Sequence, residues 1–272
     1  MKTIRNVREK NPIIHNITNY VTVNDCANIL LACGASPIMA DEIEEMEDIV
    51  KISNGLNINI GTLNTRTVES MVFAGKLANE MGHTVTLDPV GVGASALRGK
   101  VIERLLKEVK FSVICGNISE IKALALGTLG SKGVDANLED VITEENLQNT
   151  IKIIGDFSKK LDSIIVVTGK IDIIAKNEIV HIVKNGHEMM SKITGTGCML
   201  TALIGGFIAA NKENMVESVV DAVCAMGLAG ERARERLSVR DGNSTYRNYI
   251  IDEIFNMSDE ILLSGKKSIL IK

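Results

Sequence analysis

Short runs of β-branched and aliphatic residues alternate with longer segments of helical spacing along most of this 272-residue chain. That alternation limits the fold more than any other feature. The plainest run is Ser163 to Val167, whose β-branched, apolar character suits a strand buried on both faces. Ser36-Pro37-Ile38-Met39-Ala40 reads as a strand after an apolar helix near Val23 to Cys33, and Leu56 to Ile60 as another, ended by Gly61. Thr65 to Met81 has helical spacing, with Val68, Met71, Val72, Ala74 and Leu77 as its apolar positions. Thr84 to Asp88 is the next strand, stopped by Pro89. A helix from Leu97 to Val109 leads into a strand from Phe111 to Cys115, and Ile171 to Ala175 with Glu178 to Val183 fits a hairpin around Lys176-Asn177. From Cys198 onward the pattern is mainly helical, including Met215 to Leu237. Repeated strand–helix alternation predicts an α/β fold with a mostly parallel central sheet covered by helices on both faces. No linker, repeat or low-complexity segment divides the chain, so residues 1–272 are expected to form a single domain.

Composition narrows the partners. With 45% apolar residues the chain can build a large core, and 24% charged residues is ordinary for a soluble protein. A net charge of −4 gives no general attraction to a phosphate backbone, and 3% aromatics with no Trp leaves few stacking platforms, so nucleic acid is not an expected partner. Five widely spaced cysteines with no CxxC pair suggest reduced thiols rather than a disulfide framework or a structural zinc site. The N-terminus lacks an apolar signal core, and the longest apolar stretch, around Met199 to Ala210, is too short to span a bilayer. No membrane is implied, and a cytoplasmic enzyme is expected.

Three features can carry chemistry. Gly195-Thr196-Gly197-Cys198 runs straight into an apolar helix, so small residues would let a ligand approach while free N–H groups of the first turn face an anion such as a nucleotide phosphate. It is neither a Walker A loop nor a dinucleotide fingerprint, and a plain glycine turn before a buried helix would have the same spacing. Gly116-Asn117-Ile118-Ser119-Glu120 lies where a strand gives way to a helix, and Asn117 and Glu120 are spaced to share a face. They could organise hydrated Mg²⁺, which takes one or two protein carboxylates plus water and phosphate, or simply cap the helix. Asp88 ends its strand at the same sheet edge, where it could join the metal site or form a turn before Pro89.

These stretches together carry a resemblance. Asn117-Ile118-Ser119-Glu120 resembles the Asn-x-x-Glu motif of ribokinase-like kinases, and Gly195-Thr196-Gly197-Cys198 resembles their anion-hole loop. Cysteine at the last loop position, where most of that superfamily has Asp, resembles the hydroxyethylthiazole kinase branch. So do His15-Asn16-Ile17-Thr18-Asn19-Tyr20-Val21, Gly34 to Ala40, Ile58-Asn59-Ile60-Gly61-Thr62-Leu63 and Leu87 to Ala94. The resemblance runs from about Val7 to Tyr249. It implies a three-layer α/β/α ribokinase-like fold, ATP as co-substrate, Mg²⁺, and a homotrimer with pockets at subunit contacts. It also implies that Asn19, Met39 and Gly195 contact a thiazole alcohol, and that Cys115, Asn117, Thr168, Thr196 and Gly197 serve ATP. Asp88 and Glu120 would act on the metal through water, and Cys198 would stand beside the substrate hydroxyl.

Two positions depart from the family pattern. Cys115 stands where a basic residue is frequent, which removes a cation from the phosphate side, and Asp241 to Tyr246 lacks a Gly-Pro-Gly turn. A helix N-terminus eases loss of the Cys198 proton while nearby phosphates oppose it, so the thiol is either a weak base or a positioning group. Cys26 and Cys33 are expected in the core, and His15 either touches the pocket or is a hydrogen-bonded structural residue. A kinase for a related alcohol and a binding-only regulator remain competing expectations.

Overall fold

The computed structural model describes residues 2–127 and 144–271. Four parallel strands are built early in the chain: β1 (Ile13–Ile17), β2 (Ser36–Met39), β3 (Gly55–Asn59) and β4 (Thr84–Asp88). They are followed by β5 (Val113–Asn117), β6 (Ile164–Thr168), β7 (Asp172–Lys176), β8 (Ile179–Val183) and the short β9 (Ser268–Leu270). Among the described residues these make one nine-stranded sheet in the order β2-β1-β3-β4-β5-β6-β7-β8-β9. The first six strands are parallel, whereas β7, β8 and β9 join antiparallel. The expected mostly parallel sheet is therefore present, and the expected hairpin is its β7–β8 pair, turned at Asn177 with φ 56.

Strand alternation sorts side chains into two cores. Cys115, Ile164, Val166 and Ile174 pack on one face under α1 (Thr3–Lys10), α2 (Val23–Cys33), α8 (Thr196–Ala210), α9 (Met215–Arg236), α10 (Asn243–Asn256) and α11 (Asp259–Gly265). Their neighbours Ile114, Ile165, Val167 and Ile173 pack on the other. That second face is covered by α3 (Met46–Ile52), α4 (Thr65–Glu80), α5 (Ala96–Glu108), α6 (Ile118–Leu126) and α7 (Glu144–Leu161). Each fully buried Ile, Leu or Val contributes on the order of 1.5–3 kcal/mol, so two such faces hold the three layers together. No helix of the described residues is long and apolar enough to cross a membrane.

Several elements differ from the sequence expectation. β1 was not anticipated as a strand, because His15 and Asn16 interrupt its apolar pattern; both side chains are buried, His15 bonded to the Ala40 carbonyl just past β2 and Asn16 to the Ile14 carbonyl of its own strand. β5 begins two residues later than expected and runs on through Gly116 to Asn117. Its extra residues pair with Val167 and Thr168 of β6, a partner no local pattern specifies.

Helix α9 meets the loop after β8 at Gly227, where an added Cβ would lie 2.6 Å from the Asn185 Cβ and 2.7 Å from its carbonyl carbon. The Asn185 backbone cannot swing aside, since its side chain is tied to Glu231 and to the Gly265 carbonyl. Gly227→Ala should lower stability by about 1–3 kcal/mol through overpacking, outweighing the roughly 1 kcal/mol helix-propensity gain of alanine. Urea unfolding should show a lower midpoint at unchanged slope; a midpoint equal to or above wild type would contradict the close packing.

Candidate active site

Parallel topology brings the C-terminal ends of β3, β4, β5 and β6 to one edge, placing Asn59 beside Asp88 and Asn117 beside Thr168 in strand register. Helix α8 starts at that edge. Its N-cap, Gly195, has φ 92 and offers no side-chain cap, so the first-turn N–H groups have no side-chain acceptor there. A Cβ at Gly195 would sit 2.6 Å from Thr22 Cγ2, so both the positive φ and the close approach require glycine. Twelve of the fifteen α8 residues are buried, which fixes this terminus rigidly against the sheet.

Asp88 is 4% exposed and accepts a hydrogen bond from Asn59 Nδ2 at 2.7 Å. Asn59 Nδ2 also lies 3.2 Å from Cys198 Sγ, and Asn19 Nδ2 lies 3.3 Å from the same sulfur. Asn19 Nδ2 further donates to Asn59 Oδ1 at 3.0 Å, while Asn19 Oδ1 accepts from the Thr22 N–H and hydroxyl. Below this cluster Asn57 donates to Asn16, and the Thr86 hydroxyl donates to Asn57 Oδ1. The period-two spacing of Asn57 with Asn59, and of Thr86 with Asp88, stacks these polar groups on one face of the sheet.

Asn117 and Glu120 form the helix cap that their spacing allows, and Glu120 still lines the cleft. Asn117 Oδ1 accepts from the Glu120 N–H at 2.9 Å and Glu120 Oε2 accepts from the Asn117 N–H at 2.9 Å, forming a capping box. Glu120 Oε1 accepts from the Gly91 N–H at 2.8 Å, tying the start of α6 to the loop after β4. The cap thus holds the carboxylate in the cleft rather than removing it from there.

Burial raises the Asp88 pKa above the ordinary aspartate range, and the charge of Glu120 raises it further; hydrogen bonds from Cys198, Asn59 and Thr201 oppose the shift. Burial likewise raises Glu120, against the pull of the Gly91 and Asn117 N–H groups. A buried and a half-buried carboxylate lining one cleft, with the charge of one raising the pKa of the other, favour a divalent cation. Among the described residues no group of three or more His, Cys, Asp and Glu could hold a metal, so an all-protein cage is absent. The pair instead fits Mg²⁺, which keeps several waters and shares substrate phosphates. Burial, then the charge of Asp88, pushes the Cys198 thiol well up, outweighing the helix terminus, so the thiol carries its proton at neutral pH.

A cleft of about 310 Å³ is lined by Asn19, Asp88, Cys115, Asn117, Glu120, Thr168, Gly195, Gly197 and Cys198, which unites most of the residues expected from sequence. Thr196 lines an adjoining cavity of about 720 Å³, which shares Thr168 and Gly197 with the cleft. Met39 is not brought to the cleft by this chain: it ends the edge strand β2, pairs in register with Asn16 and packs on the core. Cys115 is only 2% exposed, and burial keeps its thiol neutral. His15 takes the structural role, fully buried with Nε2 2.9 Å from the Ala40 carbonyl oxygen, and Cys26 and Cys33 are core residues. Sequence reasoning gave Asn59 no role, although Asn57 and Asn59 alternating with isoleucine in a buried strand signal a polar face.

An edge-on cleft with paired carboxylates faces an uncapped helix terminus, and the three-layer α/β/α sheet around it is a ribokinase-like fold. The fold of a ribokinase-like superfamily protein from Enterococcus faecalis agrees, with a TM-score of 0.60 at 15% identity over 93% of this chain and 88% of that one. The family model described as "HK: Hydroxyethylthiazole kinase family" matches residues 4–260. A hydroxyethylthiazole kinase of Clostridium acetobutylicum is 60% identical over 95% of each chain. The structure of a hydroxyethylthiazole kinase protein from Pyrococcus horikoshii is 32% identical with a TM-score of 0.87, covering 99% of this chain and 98% of that one. The chain belongs to the hydroxyethylthiazole kinase family.

An acid whose folded pKa lies above its unfolded value holds its proton more tightly when folded. Its stabilising contribution is present below the unfolded pKa and is lost as pH rises through the raised one. Asp88→Asn should therefore lose less thermal stability than wild type between about pH 5.5 and about pH 8.5 in metal-free, nucleotide-free buffer. Parallel melting-temperature profiles for the two proteins would contradict the raised carboxyl.

Proposed function

We propose that this protein transfers the γ-phosphoryl group of ATP to the hydroxyl of 4-methyl-5-(2-hydroxyethyl)thiazole, yielding the thiazole phosphate used in thiamine biosynthesis or salvage. The observation that carries this reading is the uncapped α8 terminus facing Asp88 and Glu120 across a cleft continuous with the larger cavity. The larger cavity, with Thr168, Thr196 and Gly197 on its wall, has room for the nucleotide, and the cleft takes the alcohol beside Asn19, Gly195 and Cys198.

Asp88 and Glu120 would hold a hydrated Mg²⁺, which supplies positive charge to the phosphate oxygens when bound. The first-turn N–H groups at Thr196, Gly197 and Cys198 aim at the transferred group, where negative charge spreads during the reaction. A loose phosphoryl-transfer transition state needs positioning and electrostatics more than a strong base. A protonated Cys198 thiol, held by Asn19 and Asn59, suits a residue that orients the hydroxyl.

The reading includes a single domain acting in the cytoplasm as a homotrimer, with sites at subunit contacts. Val21, 58% exposed on the cleft wall, and the adjacent Tyr20, 79% exposed, supply an apolar surface suited to a second copy. Met39, on the edge strand, would then reach the thiazole across such a contact.

Purified protein with Mg-ATP should release ADP only when the thiazole alcohol is present, with a phosphorylated thiazole as product, and EDTA should abolish turnover. Absence of alcohol-dependent ADP release would overturn the assignment. As a positioning residue, Cys198→Ala should cost less than about 10²-fold in kcat and leave the pH profile in place; a loss of about 10²–10⁴-fold with an altered profile would make the thiol a base.

A further inference from the structure

ATP brings a polyanion to a cleft that already contains two carboxylates. Among the described residues, no Lys or Arg lines that cleft. Two arginines lie nearby; the charge of Arg98 acts on Glu120, but both guanidinium groups are held by the protein. Arg98 donates to the carbonyls of Ile60, Gly61 and Val90, and Arg247 is paired with Asp25. Cys115, at the phosphate-side end of β5, adds no charge.

The adjoining cavity is different. Lys170 and Lys184 are its only lining Lys or Arg residues, and both are exposed. No hydrogen bond or ion pair engages either ammonium group among the described residues, so each is free to meet an anion. The strand register separates their roles. Lys170 lies two residues past Thr168, which lines both cavities and pairs with Asn117 at the cleft. Lys184 follows β8, two strands beyond β6 and so roughly 10 Å further from the cleft. The short turn carrying Lys170 is closed by Asp172, whose Oδ1 accepts from the Gly169 N–H at 2.9 Å.

We propose that Lys170 is the cation that binds the nucleotide phosphates in this protein, acting from the β6–β7 turn where β5 provides only a neutral cysteine. This rests on the ATP-dependent reading above and names the residue that makes the site electrostatically competent. Lys184 lies too far along the edge to take the same role.

The experiment is a binding series with adenosine, ADP and Mg-ATP for wild type, Lys170→Ala, Lys170→Arg and Lys184→Ala, alongside KM and kcat for ATP at saturating thiazole alcohol. Loss of a charge-assisted contact predicts that Lys170→Ala weakens Mg-ATP and ADP on the order of tenfold or more. Adenosine binding should stay unchanged, Lys170→Arg should retain most of the affinity, and Lys184→Ala should have the smaller effect. Equal weakening of adenosine and ATP, or unchanged ATP affinity in Lys170→Ala, overturns the proposal. If wild type phosphorylates the thiazole alcohol while Lys170→Ala matches it, only this inference fails; a wild type that neither binds nor uses ATP removes the functional reading as well.

Discussion

Helix α8 is buried along nearly its whole length, yet its first turn lacks a side-chain cap. A buried apolar helix packed on a parallel sheet cannot slide or tilt without opening the core, so its N-terminus is held at a fixed point above the strand ends. Unsatisfied first-turn N–H groups held at the sheet edge are an anion site whether or not a ligand is present. The glycine at position 195 matters in this setting because Thr22 leaves no space for any side chain. The rest of the site is arranged around that terminus.

The opposing wall is electrostatically unfavourable by itself. Asp88 is buried and Glu120 half-buried; neutral hydrogen-bond donors compensate Asp88, while Glu120 is met by backbone N–H groups and the more distant charge of Arg98. The polar ladder of Asn16, Asn57, Thr86, Asn59 and Asn19 satisfies the buried groups and orients them without neutralising their charge. Such a site stores a preference for cations, which is useful to an enzyme that must bring phosphate oxygens beside carboxylates. It also explains why Cys198 stays protonated at a helix terminus: the neighbouring acid and the lack of water outweigh the dipole.

Asn117 and Glu120 show why a motif has to be read in three dimensions. Their spacing fits a helix cap and a metal site equally well, and the structure makes the cap while leaving the carboxylate in the cleft. Met39 shows the opposite outcome. Its sequence neighbourhood resembles a substrate-binding stretch, but a single chain keeps it at the sheet edge, away from the cleft.

The sequence by itself determined the layer architecture, because strand and helix periodicities and the β-branched run at Ser163 to Val167 are local properties. It also identified the Gly195 to Cys198 loop, Asp88 and Glu120, whose residue types are chemically distinctive. Only the tertiary structure decided that β1 is a strand, that Asn59 bridges Asp88 and Cys198, and that Lys170 lines the larger cavity while Cys115 is a nearly buried, uncharged part of the cleft wall. Those facts depend on strand order, register and burial. Each is set by contacts between residues far apart in the chain, where no local pattern records which partner is met.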